Sequence, residues 1–176
     1  STINGTLRIN TGGFCDVNAP VYGTGSTLQY NTGDYNTGNE WIAGTSVGTG
    51  VPSNVSLTLG AASNTVTLTG NRTVPGTLTL TTGDLAINGN TLTAGTINRT
   101  SGNLQGSATS SLVITGTGSS LFFGNTGTQN SLKGLTLNTG TTATLGNALN
   151  IVAYDGSSSE GVVTVNGTAT LTTGGF

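Results

Sequence analysis

One short phrase returns along this chain: two aliphatic residues at i and i+2, a Gly or Asn turn, then a second such doublet. It reads GTLTLTTGDLAINGNTL from Gly76 to Leu92 and SLVITGTGSSLFFG from Ser111 to Gly124. It reads GLTLNTGTTATLGNAL from Gly134 to Leu149 and GVVTVNGTATLTTG from Gly161 to Gly174. Self-similarity at about 20 to 35 residues marks a repeat architecture, in which no unit buries its own apolar face and each must stack on its neighbours.

The period within each phrase is two. Val66 and Leu68 alternate with Thr65, Thr67 and Thr69, which is how a strand with one buried face reads, and no stretch keeps apolar residues at helical spacing. Strands are expected at Thr6 to Asn10, Thr27 to Asn31, Asn54 to Leu59, Thr65 to Thr69, Thr77 to Thr81, Asp84 to Asn88 and Ser111 to Thr115. Others are expected at Ser120 to Phe123, Leu135 to Asn138, Thr142 to Leu145, Leu149 to Tyr154, Val162 to Val165 and Thr168 to Leu171, with no helices.

The doublets Leu78/Leu80, Leu112/Ile114, Leu135/Leu137 and Val163/Val165 lie 34, 23 and 28 residues apart. Uneven spacing predicts an all-β fold, a right-handed β-solenoid (parallel β-helix) with irregular coil lengths. Seven or eight coils would stack into a rod about 35 to 40 Å long. A β-sandwich is the alternative, because its turn signals also recur every 8 to 12 residues or so.

Charge decides which partners are excluded. Four Lys plus Arg against six Asp plus Glu gives a net charge of −2, and the scattered cations make no footprint for nucleic acid or an anionic membrane. No apolar run approaches the roughly 20 residues of a spanning helix. The chain opens at Ser1 without a hydrophobic leader and closes at Gly174 to Phe176 in what reads as a turn, so it is expected to be a piece of a longer protein. Cys15 is the only cysteine, so no intrachain disulfide is available, and its first reading is a small buried hydrophobe.

Residues 1–52 differ in texture from the repeats at 53–176. Thr11 to Pro52 holds Phe14, Tyr22, Tyr30, Tyr35 and Trp41, five of the nine aromatic residues, together with Asp16, Asp34 and Glu40. One reading is a cap over the unpaired edge of the first coil. The other is a carbohydrate-binding platform in which Tyr30, Tyr35 and Trp41 stack on sugar rings and Glu40 accepts their hydroxyl hydrogens.

The run Gly13-Phe14-Cys15-Asp16-Val17-Asn18-Ala19-Pro20-Val21-Tyr22, with Ser26 to Gly33, Asn39-Glu40-Trp41 and Val51 to Val55, resembles a unit of very large repetitive surface proteins of Bacteroidota. The resemblance implies export by the type IX secretion system, an extracellular or cell-surface location, and a role as adhesin or stalk, in some members linked to gliding. It also implies partners among neighbouring repeats of a longer chain, other surface proteins or surface glycans.

With no His there is no Ser-His or Cys-His pair and no imidazole metal site, so the chain is not expected to be an enzyme and no catalytic residue is nominated. Asp34 and Glu40 are the nearest carboxylate pair in the aromatic segment for glycosidase-type chemistry. The loop Asp155 to Glu160 offers oxygen ligands of the kind Ca²⁺ takes, without the acidic density of an EF-hand, so no cofactor is expected beyond such a calcium ion. Five Asn-x-Ser/Thr sequons, at Asn4, Asn54, Asn71, Asn98 and Asn166, follow from composition.

Thr-x-Thr runs at Thr65 to Thr69, Thr77 to Thr81, Thr91 to Thr93 and Thr168 to Thr172 raise an ice-binding alternative, which requires hydroxyls in a flat array. Uneven coil lengths argue against such an array.

Overall fold

Among the described residues every strand-to-strand ladder is parallel, the antiparallel contacts being two isolated bridges at Val21–Thr49 and Gly48–Val51, and that separates a solenoid from a sandwich. A computed structural model of the chain describes residues 1–152 and 161–173; among these there is no helix. The protein is a β-solenoid of about seven turns. Parallel neighbours cannot be joined by tight hairpins, so each connection must travel around the coil, and it does so through two further short strands.

Each coil has three sides. The first side stacks Thr6–Asn10, Thr27–Asn31, Asn54–Thr58, the second half of Arg72–Thr82, the second half of Thr91–Arg99, then Ser119–Leu121, Thr142–Leu145 and Thr170–Thr173. The second side stacks Tyr35–Asn36, Thr65–Thr67, Asp84–Ala86 and Asn103–Gln105, and a bridge carries it on to Phe123. The third side stacks the first halves of Arg72–Thr82 and Thr91–Arg99, then Ser111–Ile114, Gly134–Leu137 and Val162–Val165.

The register stacks apolar side chains in ranks on the coil axis, two of them along the first and third sides. Leu28, Val55, Leu78 and Ile97 form such a rank, as do Leu92, Leu112 and Leu135, and all seven are buried. Fully burying a Val, Leu or Ile contributes about 1.5 to 3 kcal/mol each, so the ladder and not charge holds the coils together.

Two long strands turn a corner between sides. Gly95 sits at that corner, where a Cβ would lie 2.3 Å from the Gly76 carbonyl oxygen and 2.5 Å from that of Pro75. Only glycine lets the stacked backbones approach so closely. Pro75 and Gly76 together oppose Gly95 alone, a local bulge that explains the register shift after Ala94.

Asparagine serves the other corners. The Asn54 Oδ1 accepts from the Thr77 amide at 2.9 Å, and the Asn71 Oδ1 accepts from the Thr91 amide at 2.8 Å. Such side-chain bonds to backbone suit turns, which is why a chain made of corners is rich in Asn and Thr.

Sequence expectations and strands agree at Thr6–Asn10, Thr27–Asn31, Thr142–Leu145 and Val162–Val165; some are trimmed, as at Asp84–Ala86, some shifted by a residue or two, as at Gly134–Leu137 and Thr170–Thr173, and Thr77 to Thr81 is the second half of the longer strand Arg72–Thr82. The Leu149 to Tyr154 expectation contains Asn150–Ile151, and its last two residues lie outside the described ones, as does Asp155 to Glu160. Thr91–Arg99 and Asn103–Gln105 were not expected. The 34-residue step from Leu78 to Leu112 joins two different sides: Leu78 pairs with Ile97, 19 residues on, while Leu112 pairs with Leu92. The first two strands of the first side also lie within residues 1–52, so stacking begins before the uniform repeats do.

Candidate functional site

The aromatic segment folds inward. Tyr30 and Leu28 point to the coil axis from Thr27–Asn31, and the loop that follows Tyr35–Asn36 carries Glu40 and Trp41 into the interior behind them. Glu40 and Trp41 have 0% exposure, a strong departure from the habits of a carboxylate.

The burial of Glu40 is offset by four donors. Its Oε1 accepts from the Tyr30 hydroxyl at 2.9 Å and the Gly38 amide at 2.8 Å, and its Oε2 accepts from the Tyr35 hydroxyl at 3.2 Å. Its backbone carbonyl accepts from the Tyr22 hydroxyl at 2.7 Å. Trp41 is held by its indole N–H, which donates to the Thr73 carbonyl at 3.1 Å across to the third side.

A cation shares this interior. Arg72, nearly buried, donates from Nη2 to Thr69 Oγ1 at 2.9 Å and to Thr37 Oγ1 at 3.3 Å, and from Nη1 to the Asn71 carbonyl at 3.0 Å, while its Nε is buried without a partner. Burial lowers its pKa, opposed by the nearby Glu40 carboxylate. A guanidinium stays protonated under such a push. Burial, with the Glu40 charge second, raises the pKa of Tyr30 and of Tyr35, so both hydroxyls keep the proton they donate. The Cys15 thiol is likewise pushed up by burial and by Glu40, which makes it a poor nucleophile.

The four residues nominated from sequence therefore come together, but not as a surface platform. Tyr30, Glu40 and Trp41 offer no face to a sugar; they are a hydrogen-bonded core cluster, and Tyr35 alone reaches solvent. Sequence reasoning missed the reversal because amphipathic side chains read the same on either face of a strand. It also missed Arg72, whose only signal was an isolated cation at an alternating position.

What does face solvent is a groove on the second side. Asp34, Tyr35, Asn36, Ser63, Thr65 and Thr67 line it, with a volume of about 410 Å³. Asp34 closes one wall, its Oδ1 accepting from the Thr65 amide at 2.9 Å. Further along the same side, Asp84 accepts from the Asn103 amide at 3.0 Å and from Gln105 Nε2 at 2.8 Å. Hydroxyl, amide and carboxylate groups beside one half-buried aromatic ring suit a polyhydroxylated ligand. The carboxylates Asp34 and Glu40 do not share this groove, because Glu40 is inside the coil.

The threonine runs divide among the sides: Thr65 and Thr67 lie on the second, Thr91 and Thr93 on the third, Thr77, Thr79, Thr170 and Thr172 on the first. Uneven coil length is not what breaks the array, since loops absorb the difference and Thr6/Thr27, Thr77/Thr96 and Thr142/Thr170 remain in register. Among the described residues no group of three or more His, Cys, Asp or Glu stands together as metal ligands. No protein-family model, curated protein or solved structure matches this chain.

Proposed function

We propose that this chain is a structural and adhesive module of a secreted bacterial cell-surface protein, a stiff β-solenoid segment that spaces or presents a contact surface. The observation that carries the reading is the unbroken eight-stranded parallel sheet that runs from Thr6–Asn10 through the two long corner strands to Val162–Val165. Its backbone hydrogen bonds run along the rod, so axial load is shared by a bond set at every coil. The nearly uncharged outer ranks leave such a rod free to lie against a neighbour or a glycan, and the groove around Tyr35 is the site proposed for a sugar.

Pulling the chain between its two ends tests the mechanical part. Coils of 19 to 28 residues, as from Leu78 to Ile97 and from Ala143 to Leu171, should release about 60 to 100 Å per event at 3.3 to 3.6 Å per residue. A chain that unravels smoothly at low force, without steps, would be no stalk.

The in-register rank Thr6/Thr27, Thr77/Thr96 and Thr142/Thr170 favours a second reading, an ice-binding face. Asn54 interrupts that rank, and Arg8 stands in the next one. Thermal hysteresis of the folded chain would support the ice reading, and plain colligative freezing would remove it.

A further inference from the structure

The groove at Tyr35 does not end at its own coil. Asp34, Thr65, Asp84 and Asn103 follow one another in an outward rank of the second side, because their neighbours Val66, Leu85 and Leu104 all point inward with 0% exposure. Asn36, Thr67, Ala86 and Gln105 form a second outward rank beside it. The bridge from Leu104 to Phe123 adds one more rung and sets Phe122 outward beyond Asn103. Four rung steps of about 4.8 Å, from Asp34 to Phe122, make a strip about 19 Å long.

The strip is tied together along the axis. Gln105 Nε2 donates to Asp84 Oδ2 at 2.8 Å and reaches back a further coil to Thr65 Oγ1 at 3.4 Å. Asp84 Oδ1 accepts from the Asn103 amide at 3.0 Å and from Asn103 Nδ2 at 3.1 Å. Such bonds fix the polar groups before a ligand arrives, which lowers the ordering cost of binding. Both ends are aromatic. Tyr35, half-buried, is steered by its hydroxyl bond to the Glu40 carboxylate. Phe122 carries the Arg99 guanidinium 4.0 Å from its ring centroid, and a Cβ at Gly146 on the next coil would collide with that ring.

Charge narrows the ligand. Asp34 and Asp84 face the strip, whereas Arg8 lies on the first side, Lys133 beside the third and Arg72 inside the coil. The Arg99 guanidinium is occupied by the Gly102 carbonyl, Asn103 Oδ1 and Phe122. An anionic polymer would meet carboxylates of its own sign, while sugar hydroxyls donate to them.

Direction follows from the rungs. The strands Thr65–Thr67, Asp84–Ala86 and Asn103–Gln105 are three residues long, so a ligand lying across the side meets two outward side chains. One lying along the axis meets a new pair at every coil, and the rung step is close to the length a pyranose ring adds to an extended chain.

We propose that the second side binds an unbranched, uncharged polysaccharide lying along the rod axis, from Tyr35 to the Arg99-Phe122 pair. Asp34 and Asp84 accept hydrogens from its hydroxyls, and the aromatic residues flank the bound stretch. This rests on the sugar reading of the Tyr35 groove and adds the polymer class, its direction and the far end of the site.

The test is calorimetric titration of the whole chain with linear glucan and mannan oligosaccharides from dimer to hexamer, and with oligogalacturonate as the anionic counterpart. Affinity for one neutral series should rise about tenfold or more from the dimer and level off at about four units, while oligogalacturonate gives no binding heat. Gln105→Ala and Phe122→Leu, each shown folded by circular dichroism and thermal melting, should weaken hexamer binding by about three- to tenfold and leave the dimer unchanged. Gln105→Ala, at a partly exposed position, keeps the test decisive should Phe122→Leu fail to fold. Hexamer binding that Tyr35→Ala removes but Gln105→Ala leaves intact, or affinity already level at the dimer, overturns the axial site and leaves the groove reading standing. A folded chain that binds none of the neutral oligosaccharides overturns both, and tighter binding of oligogalacturonate than of any neutral hexamer overturns the proposal as well.

Discussion

The Tyr30 hydroxyl donates a 2.9 Å hydrogen bond to the Glu40 carboxylate, and neither residue touches solvent. Ten residues separate them in the chain, so the bond ties the loop carrying Glu40 and Trp41 to the second coil. The carboxylate is the hub on which Tyr35 and the Gly38 amide also converge. Removing a hub orphans every spoke, which makes its loss cost more than any single bond.

Replacement of Glu40 by Ala should therefore lower unfolding free energy by about 3 kcal/mol, since two tyrosine hydroxyls and an amide lose their acceptor and Arg72 loses its nearby anion. Tyr30→Phe removes one donor and should cost about 1 kcal/mol. Urea denaturation with unchanged slope separates the two. Equal midpoints for E40A and the parent would show that the cluster contributes nothing to the fold.

Alkaline pH should unfold the protein. Burial, the first cause in each, raises the pKa of Tyr22, Tyr30 and Tyr35 above the ordinary tyrosine value of about 10. A raised folded pKa means the unfolded chain loses the proton first, so the stabilisation is intact below pH 10 and falls as pH rises beyond it. Each fully protected tyrosine contributes a slope of about 1.4 kcal/mol per pH unit, less for the part-exposed Tyr35. Tyrosinate absorbance should rise together with loss of β circular dichroism; ionisation of all tyrosines near pH 10 in a folded protein would refute the burial.

Trp41 and Tyr35 should part company in a glycan screen. Trp41→Ala removes a fully buried indole and should cost about 3 to 5 kcal/mol, so any binding it loses reflects unfolding. Tyr35→Ala and Asp34→Ala alter the groove, and in a chain that remains folded they should abolish retention on a glycan surface. Binding that survives both substitutions would place the contact elsewhere on the rod.

The corner glycine gives the sharpest stability test. Gly95→Ala drives a methyl into the Gly76 and Pro75 carbonyls and should cost about 1 to 3 kcal/mol, whereas Gly12→Ala, with open space around it but a φ of +79°, should cost less, about 1 kcal/mol. Core charge is the harsher case: Leu80→Asp or Leu137→Asp buries an unpaired carboxylate at positions with at most 1% exposure and should prevent folding. A normal melting temperature for either Asp variant would sink the axial ladder.

The alternation of Leu78 and Leu80 with Thr77, Thr79 and Thr81 is a local property, set by the strand period of two, and it made the strand and its buried face legible without coordinates. Thr91–Arg99 was not legible because Ala94-Gly95 interrupts the alternation where the backbone turns a corner. A corner looks like a strand break in one dimension and becomes a bulge only when Pro75 and Gly76 lie beneath it. The aromatic segment was legible as unusual, but its direction was not: alternation says that Tyr30 and Gln29 face opposite ways, and only the stacked coil says that the axis is on the side of Tyr30.

Sequence alone thus determined that the chain is all-β, built of repeats, weakly charged and held by aliphatic packing, because each of these follows from composition or from neighbours two residues apart. Tertiary structure decided that the strands run parallel, which coil meets which, and that Glu40 and Arg72 lie inside. Those depend on contacts between residues 10 to 32 positions apart, and nothing in a local pattern specifies which distant strand supplies the hydrogen bonds.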